Sequence, residues 1–227
     1  MARQGVLTAA APPTPLQALQ PAAETRWAAS DKVLWRLSRR HPLPAEPHEL
    51  SRDGFTTLVL SIVHQQVSMA AARTIQARLV KLLGGAITPR RIVNRTPEQL
   101  RGAGLSRGKA AYILDLADKT LRGDVEFARF AEMDDDAILA ELTAVKGIGV
   151  WTAQMFLMFH LHRPDVLPTG DLGLRLAVAD VYKVPVHEAA DEMDARRERW
   201  SPYCSVAARV LWQSRRDAAA AVAAAKA

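Results

Sequence analysis

The chain has 227 residues, enough for one substantial core or for two small lobes sharing a cleft. Its apolar residues are interleaved with charge, and no run approaches the roughly 20 residues a membrane span needs, which excludes an integral helical membrane protein. One cysteine, Cys204, excludes an internal disulfide and cannot by itself ligate an iron–sulfur cluster or a structural zinc. Met1 to Gln20 carry no continuous apolar run, so a soluble, cytoplasmic protein is expected.

In chain order, residues 1–24 are rich in Ala, Pro and Gln and read as a disordered or extended arm. A folded domain is expected over 25–217. Val33, Leu34 and Leu37 predict a first helix ahead of the Pro42–Pro47 loop. Phe55, Leu58, Val59, Ile62 and Val63 recur at helical spacing behind an Asp53 N-cap. Ser68 opens a helix through Ala72, Ile75, Leu79 and Leu82 that stops at Gly84-Gly85. Thr96-Pro97 begins a short helix, Gly102 and Gly104 break the chain, and Ser106 caps a helix through Ala117. Further helices are predicted at Asp134–Ala144, Val150–Leu161, Leu172–Val181, His187–Arg197 and Ser201–Arg215. Residues 218–227 form an alanine-rich tail. No segment alternates with the period of a strand, so the fold class is all-α, with roughly ten helices joined by short loops.

Thirty Lys and Arg against 24 Asp and Glu give a formal charge of +6, which suits a polyanionic partner. Between Ala70 and Ala110 stand Arg73, Arg78, Lys81, Arg90, Arg91, Arg95, Arg101, Arg107 and Lys109, against the single acid Glu98. From Asp124 to Glu141 the sign reverses. A basic face or an ordinary solvated helix surface both fit this pattern.

Gly147-Ile148-Gly149 lies between two helical patterns. Glycine at both ends of so short a turn permits unusual backbone angles and close approach to another surface. The turn leads straight into a helix, whose first amides lack intrahelical partners and make an anion site suited to phosphate. Ile148 would anchor the turn in the core, and Lys146 would add charge. Alone, Gly-x-Gly is as compatible with a tight connection. Asp171 then follows the irregular run Asp165 to Gly170 and opens the next helix. It can be a plain N-cap, or a carboxylate for N-glycosidic cleavage, where negative charge stabilises a developing oxocarbenium ion or orients water.

Lys146-Gly-Ile-Gly-Val-Trp-Thr-Ala153, followed by Leu167-Pro-Thr-Gly-Asp-Leu-Gly-Leu-Arg175, resembles the helix-hairpin-helix DNA glycosylase superfamily. Within it the chain is similar to the 3-methyladenine DNA glycosylase II family. Ile62-Val-His-Gln-Gln-Val-Ser-Met-Ala-Ala71 and Trp200-Ser-Pro-Tyr-Cys-Ser-Val-Ala-Ala-Arg-Val-Leu-Trp212 agree, so the likeness spans about residues 27–216.

The resemblance implies two helical lobes with a cleft between them, damaged double-stranded DNA as partner, and a monomer without membrane attachment. It makes Asp171 the catalytic carboxylate and places Trp151 and Trp212 at the base pocket; Trp27, Trp35 and Trp200 are less clearly assigned. It puts DNA contacts at Gln65, Gln66, Lys146, Gly147, Ile148 and Gly149, with Gln66 at the wedge position. Ser106 and Lys109, in the basic stretch, join the expected contacts. Bifunctional members carry a lysine where this chain has Trp151, so β-lyase chemistry is not expected and water is the nucleophile. Alkylated purines such as 3-methyladenine and 7-methylguanine are cationic, leave without strong acid assistance, and suit aromatic faces. No cofactor or metal is expected beyond a monovalent cation at the hairpin carbonyls.

Three departures stand out. There is no room before residue 27 for the β domain of larger bacterial members, Cys204 stands where arginine is usual, and His64 replaces a common glycine. A non-catalytic DNA-binding module and a glycosylase for oxidised or deaminated bases remain the alternatives.

Overall fold

A computed structural model describes residues 15–44 and 53–225. Among them every regular element is a helix and none is a strand. In chain order the helices are α1 (Pro15–Ala18), α2 (Gln20–Ser30), α3 (Lys32–Arg40), α4 (Gly54–His64), α5 (Met69–Leu82), α6 (Pro89–Val93) and α7 (Pro97–Gly102). They continue with α8 (Arg107–Arg122), a 3-10 turn at Phe127–Arg129, α9 (Asp135–Thr143), α10 (Val150–Phe159), α11 (Leu172–Tyr182), α12 (Ala189–Trp200) and α13 (Cys204–Ala224). The chain forms two compact units: the interior stretch Arg52–Arg163, and the two chain ends, Met1–Ser51 with Pro164–Ala227.

The helix starts read from the sequence make their capping bonds. Asp53 accepts from the Thr56 amide at 2.8 Å, Ser68 from Ala71 at 3.2 Å and Ser106 from Lys109 at 3.2 Å. Thr96 and Gln99 satisfy each other's backbone amides as a capping box. In the interior unit these helices enclose Leu58, Val59, Ile62, Leu79, Ile113 and Leu116, all buried. An aromatic cluster completes the core. Phe127 lies 5.3 Å from Phe130 and 6.1 Å from Phe156, ring centre to ring centre.

The N-terminal arm requires a correction. Residues 1–14 lie outside the described residues, but 15–24, expected to be extended, belong to α1 and α2. Leu16, Ala23 and Trp27 share one buried stripe, which the Ala/Pro/Gln composition hides. Pro21 falls in the first turn of α2, where a missing amide proton removes no helical bond. At the other end, the alanine-rich tail continues α13 to Ala224. The helices α6 and Phe127–Arg129 were not expected, and α12 and α13 begin later than their predicted starts at His187 and Ser201.

The end unit closes around Asp31, whose carboxylate is buried. Its Oδ1 accepts from the Val33 and Leu34 amides at 3.1 Å each and so caps α3. Its Oδ2 accepts from Tyr182 Oη at 2.9 Å on α11, from Trp200 Nε1 at 3.0 Å on α12, and from Arg196 Nη1 at 3.2 Å. Burial opposes ionisation, but these hydrogen bonds and the Arg196 charge outweigh it and hold the Asp31 carboxyl below the ordinary carboxylate range. Trp27 and Trp200 are fully buried, so both are core residues rather than pocket walls. Trp35 is half-buried in α3.

Candidate functional site

In the interior unit, α9 and α10 pack together and the turn between them is a helix-hairpin-helix connection. The Ile148 amide donates to the Val145 carbonyl at 3.1 Å, and the Ile148 side chain is buried, as an anchor should be. The two glycines answer different demands. Gly147 has φ +80°, and a Cβ there would stand 2.1 Å from the Tyr112 ring, so both its backbone and its closeness to that ring require glycine. Gly149 caps α10 with an extended φ of −92°, and a Cβ there would meet open space. With glycine as N-cap, no side chain caps the first amides of α10. Lys146 is exposed; its amide donates to Asp115 Oδ2 at 2.9 Å and its ammonium lies 3.9 Å from Oδ1 of the same residue.

Gln65, Gln66, Ser106, Lys109, Tyr112 and Gly147 line one hollow of about 440 Å³ beside the hairpin. Five of these six were singled out in the sequence. Gln65 Nε2 donates to the Gly147 carbonyl at 3.1 Å and joins the end of α4 to the hairpin. Gln66 is exposed with φ +52°, a left-handed conformation uncommon outside glycine. Ser106 caps α8. The Lys109 ammonium donates to the Val63 carbonyl at 2.8 Å and to the Gln65 carbonyl at 2.5 Å. Burial lowers its pKa. Tyr112, beneath Gly147, and Asp115, which pins the Lys146 amide, were missed by sequence reasoning. Their spacing along α8, at positions 109, 112 and 115, was the available signal.

Most of the basic stretch belongs to exposed positions of α5 to α8. Among the described residues, no carboxylate lies within ion-pair range of Arg73, Arg78, Lys81, Arg90 or Arg107. Arg91 is structural instead: its Nη1 donates to the Leu83 and Gly84 carbonyls at 3.1 and 3.0 Å. Trp151, in the first turn of α10, is 49% exposed, a large apolar surface to leave in water.

In the end unit, Asp171 is the N-cap of α11, and its Oδ1 accepts from the Leu174 amide at 2.6 Å. The same oxygen accepts from Trp212 Nε1, on α13, at 2.9 Å. Gly173 leaves room for this meeting: a Cβ there would sit 3.1 Å from Asp171 Oδ1 and 3.6 Å from the indole nitrogen. The carboxylate is thus both cap and oriented acceptor. Trp212 was expected as a pocket wall; its polar edge also fixes the carboxylate. Cys204 is buried, with its amide donating to Asp165 Oδ1 at 3.1 Å. Among the described residues no group of three or more His, Cys, Asp or Glu is placed to hold a metal ion, and no helix is long and apolar enough to cross a membrane.

A Bacillus subtilis relative, provisionally named a DNA-3-methyladenine glycosylase, is 31% identical over 175 residues, 74% of this chain, which spans 61% of that relative's length. DNA-3-methyladenine glycosylase 1 of Schizosaccharomyces pombe is 28% identical over 72% of this chain and 73% of its own. Among solved structures, a DNA-3-methyladenine glycosidase from Bacillus halodurans superposes with a TM-score of 0.75 at 34% identity, covering 86% of this chain and 88% of that one. The S. pombe 3-methyladenine DNA glycosylase in complex with abasic DNA gives a TM-score of 0.72 at 26% identity, covering 85% and 95%. The family model for HhH-GPD superfamily base excision DNA repair proteins matches residues 59–202, which include both the hairpin and Asp171. The chain belongs to the HhH-GPD superfamily of base excision DNA repair proteins.

Proposed function

We propose that the chain is a monofunctional DNA glycosylase that hydrolyses the N-glycosidic bond of alkylated purines in duplex DNA. The observation that carries this reading is the Asp171 carboxylate, held by the Leu174 amide and the Trp212 indole. The relatives named for 3-methyladenine support the substrate class.

The steps follow from charge. The hairpin holds the sugar–phosphate backbone independently of sequence, through the first amides of α10, which no N-cap side chain covers. Open space at Gly149 allows a phosphate close to that backbone. The damaged nucleotide leaves the stack, at a cost of about a few kcal/mol that is smaller at damaged pairs, and Gln66 fills the gap. Trp212, beside Asp171, offers an aromatic face to a cationic base. As the C–N bond breaks, Asp171 stabilises the oxocarbenium ion and orients the attacking water. The alkylated base already carries positive charge and departs neutral. Trp151 replaces the lysine of lyase-active relatives, so an abasic site is the product and the strand stays intact. A monovalent cation would take carbonyl ligands at the hairpin, where the Gly147 carbonyl already accepts from Gln65.

The test is base release from duplexes carrying 3-methyladenine, 7-methylguanine, hypoxanthine, ethenoadenine or 8-oxoguanine. Wild-type protein should release the methylated purines without nicking. Asp171→Asn should lose at least about 100-fold in rate while keeping duplex affinity. No release by the wild type would leave only a DNA-binding module, and dominant 8-oxoguanine release with nicking would move the chain to an oxidised-base branch.

A further inference from the structure

The face of α8 that carries Lys109, Tyr112 and Asp115 supports both turns assigned to DNA. Lys109 holds the end of α4, Tyr112 lies against Gly147, and Asp115 accepts from the Lys146 amide. The Gln65 side chain closes the circuit on the Gly147 carbonyl. Between these clamps sits Gln66, in a left-handed conformation that a residue with a Cβ keeps only when its surroundings impose it.

We infer that Lys109 is a positioning residue for the Gln65–Val67 turn, and through Gln65 for the hairpin, rather than a cation offered to the DNA backbone. Two of its three ammonium donors are engaged by carbonyls at the end of α4. Swinging the side chain out to a phosphate would leave those helix-end carbonyls without this donor. Its charge also lies at the negative end of the α4 dipole, where a cation is favourably placed. In the basic stretch, then, Lys109 differs in kind from Arg73, Arg78 and Arg107, which no carbonyl or carboxylate holds among the described residues. The inference rests on the glycosylase reading only in saying what the turn is for.

The experiment separates a phosphate contact from a positioning role. Affinity of wild type, Lys109→Met and Lys109→Arg for a duplex with a tetrahydrofuran abasic site is measured against salt concentration. Release of 7-methylguanine is measured from a paired duplex and from a one-nucleotide bulge, where no partner base need be replaced. A positioning role predicts an unchanged salt slope for Lys109→Met, at least about a 10-fold loss of release from the paired duplex, and a much smaller loss from the bulge. Lys109→Arg, whose fork can still bridge two carbonyls, should recover most of the paired rate. A slope reduced by about 0.9, as one lost phosphate contact gives, or equal losses on both substrates, would overturn the inference. If Lys109→Met fails to fold, Lys109→Gln, neutral but able to donate to one carbonyl, goes through the same measurements. If the wild type releases no base, the proposed activity fails, while the salt slope still decides the role of Lys109.

Discussion

Trp212 and Asp171 stand 41 positions apart, yet the indole nitrogen and the carboxylate oxygen meet at 2.9 Å. A hydrogen bond to a charged group contributes roughly 1.5–3 kcal/mol, and here it fixes the direction of the carboxylate. Trp212→Phe keeps an aromatic ring and removes the donor. It should lower the single-turnover rate of base release by about 10-fold or more, with duplex affinity unchanged. An unaltered rate would mean that the indole merely packs. At this scale the sequence was half legible. Asp171 could be singled out because a Gly-Asp pair after the hairpin is specific, and Trp212 because the family likeness places it at the base pocket. The bond between them was not legible, since nothing local ties the start of α11 to the middle of α13. The carbonyl partners of Lys109 were not legible for a related reason: a lysine in a basic run looks like any other until the carbonyls around it are known.

Among the elements, Asp31 has the widest reach. It caps α3 and receives donors from α11 and α12, and the guanidinium of Arg196 sits 4.0 Å over the Tyr182 ring. Removing its charge leaves Arg196 and two buried donors without their acceptor, so Asp31→Asn should cost roughly 3 kcal/mol in urea unfolding at neutral pH. The folded carboxyl lies below its unfolded value of about 3.9. Its contribution is therefore complete above that pH and is lost as pH falls through the lower folded value. The stability gap between wild type and Asp31→Asn should narrow below about pH 4; a gap independent of pH would refute the assignment. Helix starts were the most readable feature of the sequence, because Asp53, Ser68, Thr96 and Ser106 each act on amides within three residues. The helix over Gln20–Ser30 was not readable. Its buried stripe is built partly from alanine, and its fixed point, the Asp31 network, depends on partners 151 to 169 positions away.

Taken whole, the chain inserts its interior unit between two ends that fold together. Arg26 donates to the Glu198 carbonyl and Ser30 to that of Arg199, while His41 Nδ1 lies 2.6 Å from Asp217 Oδ2, 176 positions on. Period and capping cannot reveal such closure, so the fold class was readable and the division of the chain was not. Only the motif likeness ran across it. The single thiol turns this arrangement into a built-in clock. Cys204 opens α13 against the Asp165 carboxylate, and burial pushes its pKa well above the ordinary thiol range. A thiol reagent should therefore react with the native protein at least about 1,000-fold more slowly than with the urea-unfolded chain. What it then records is how often the end unit opens, and Asp31→Asn should make that clock run faster. Rapid labelling in native buffer, equal in both proteins, would show that the first turn of α13 opens by itself.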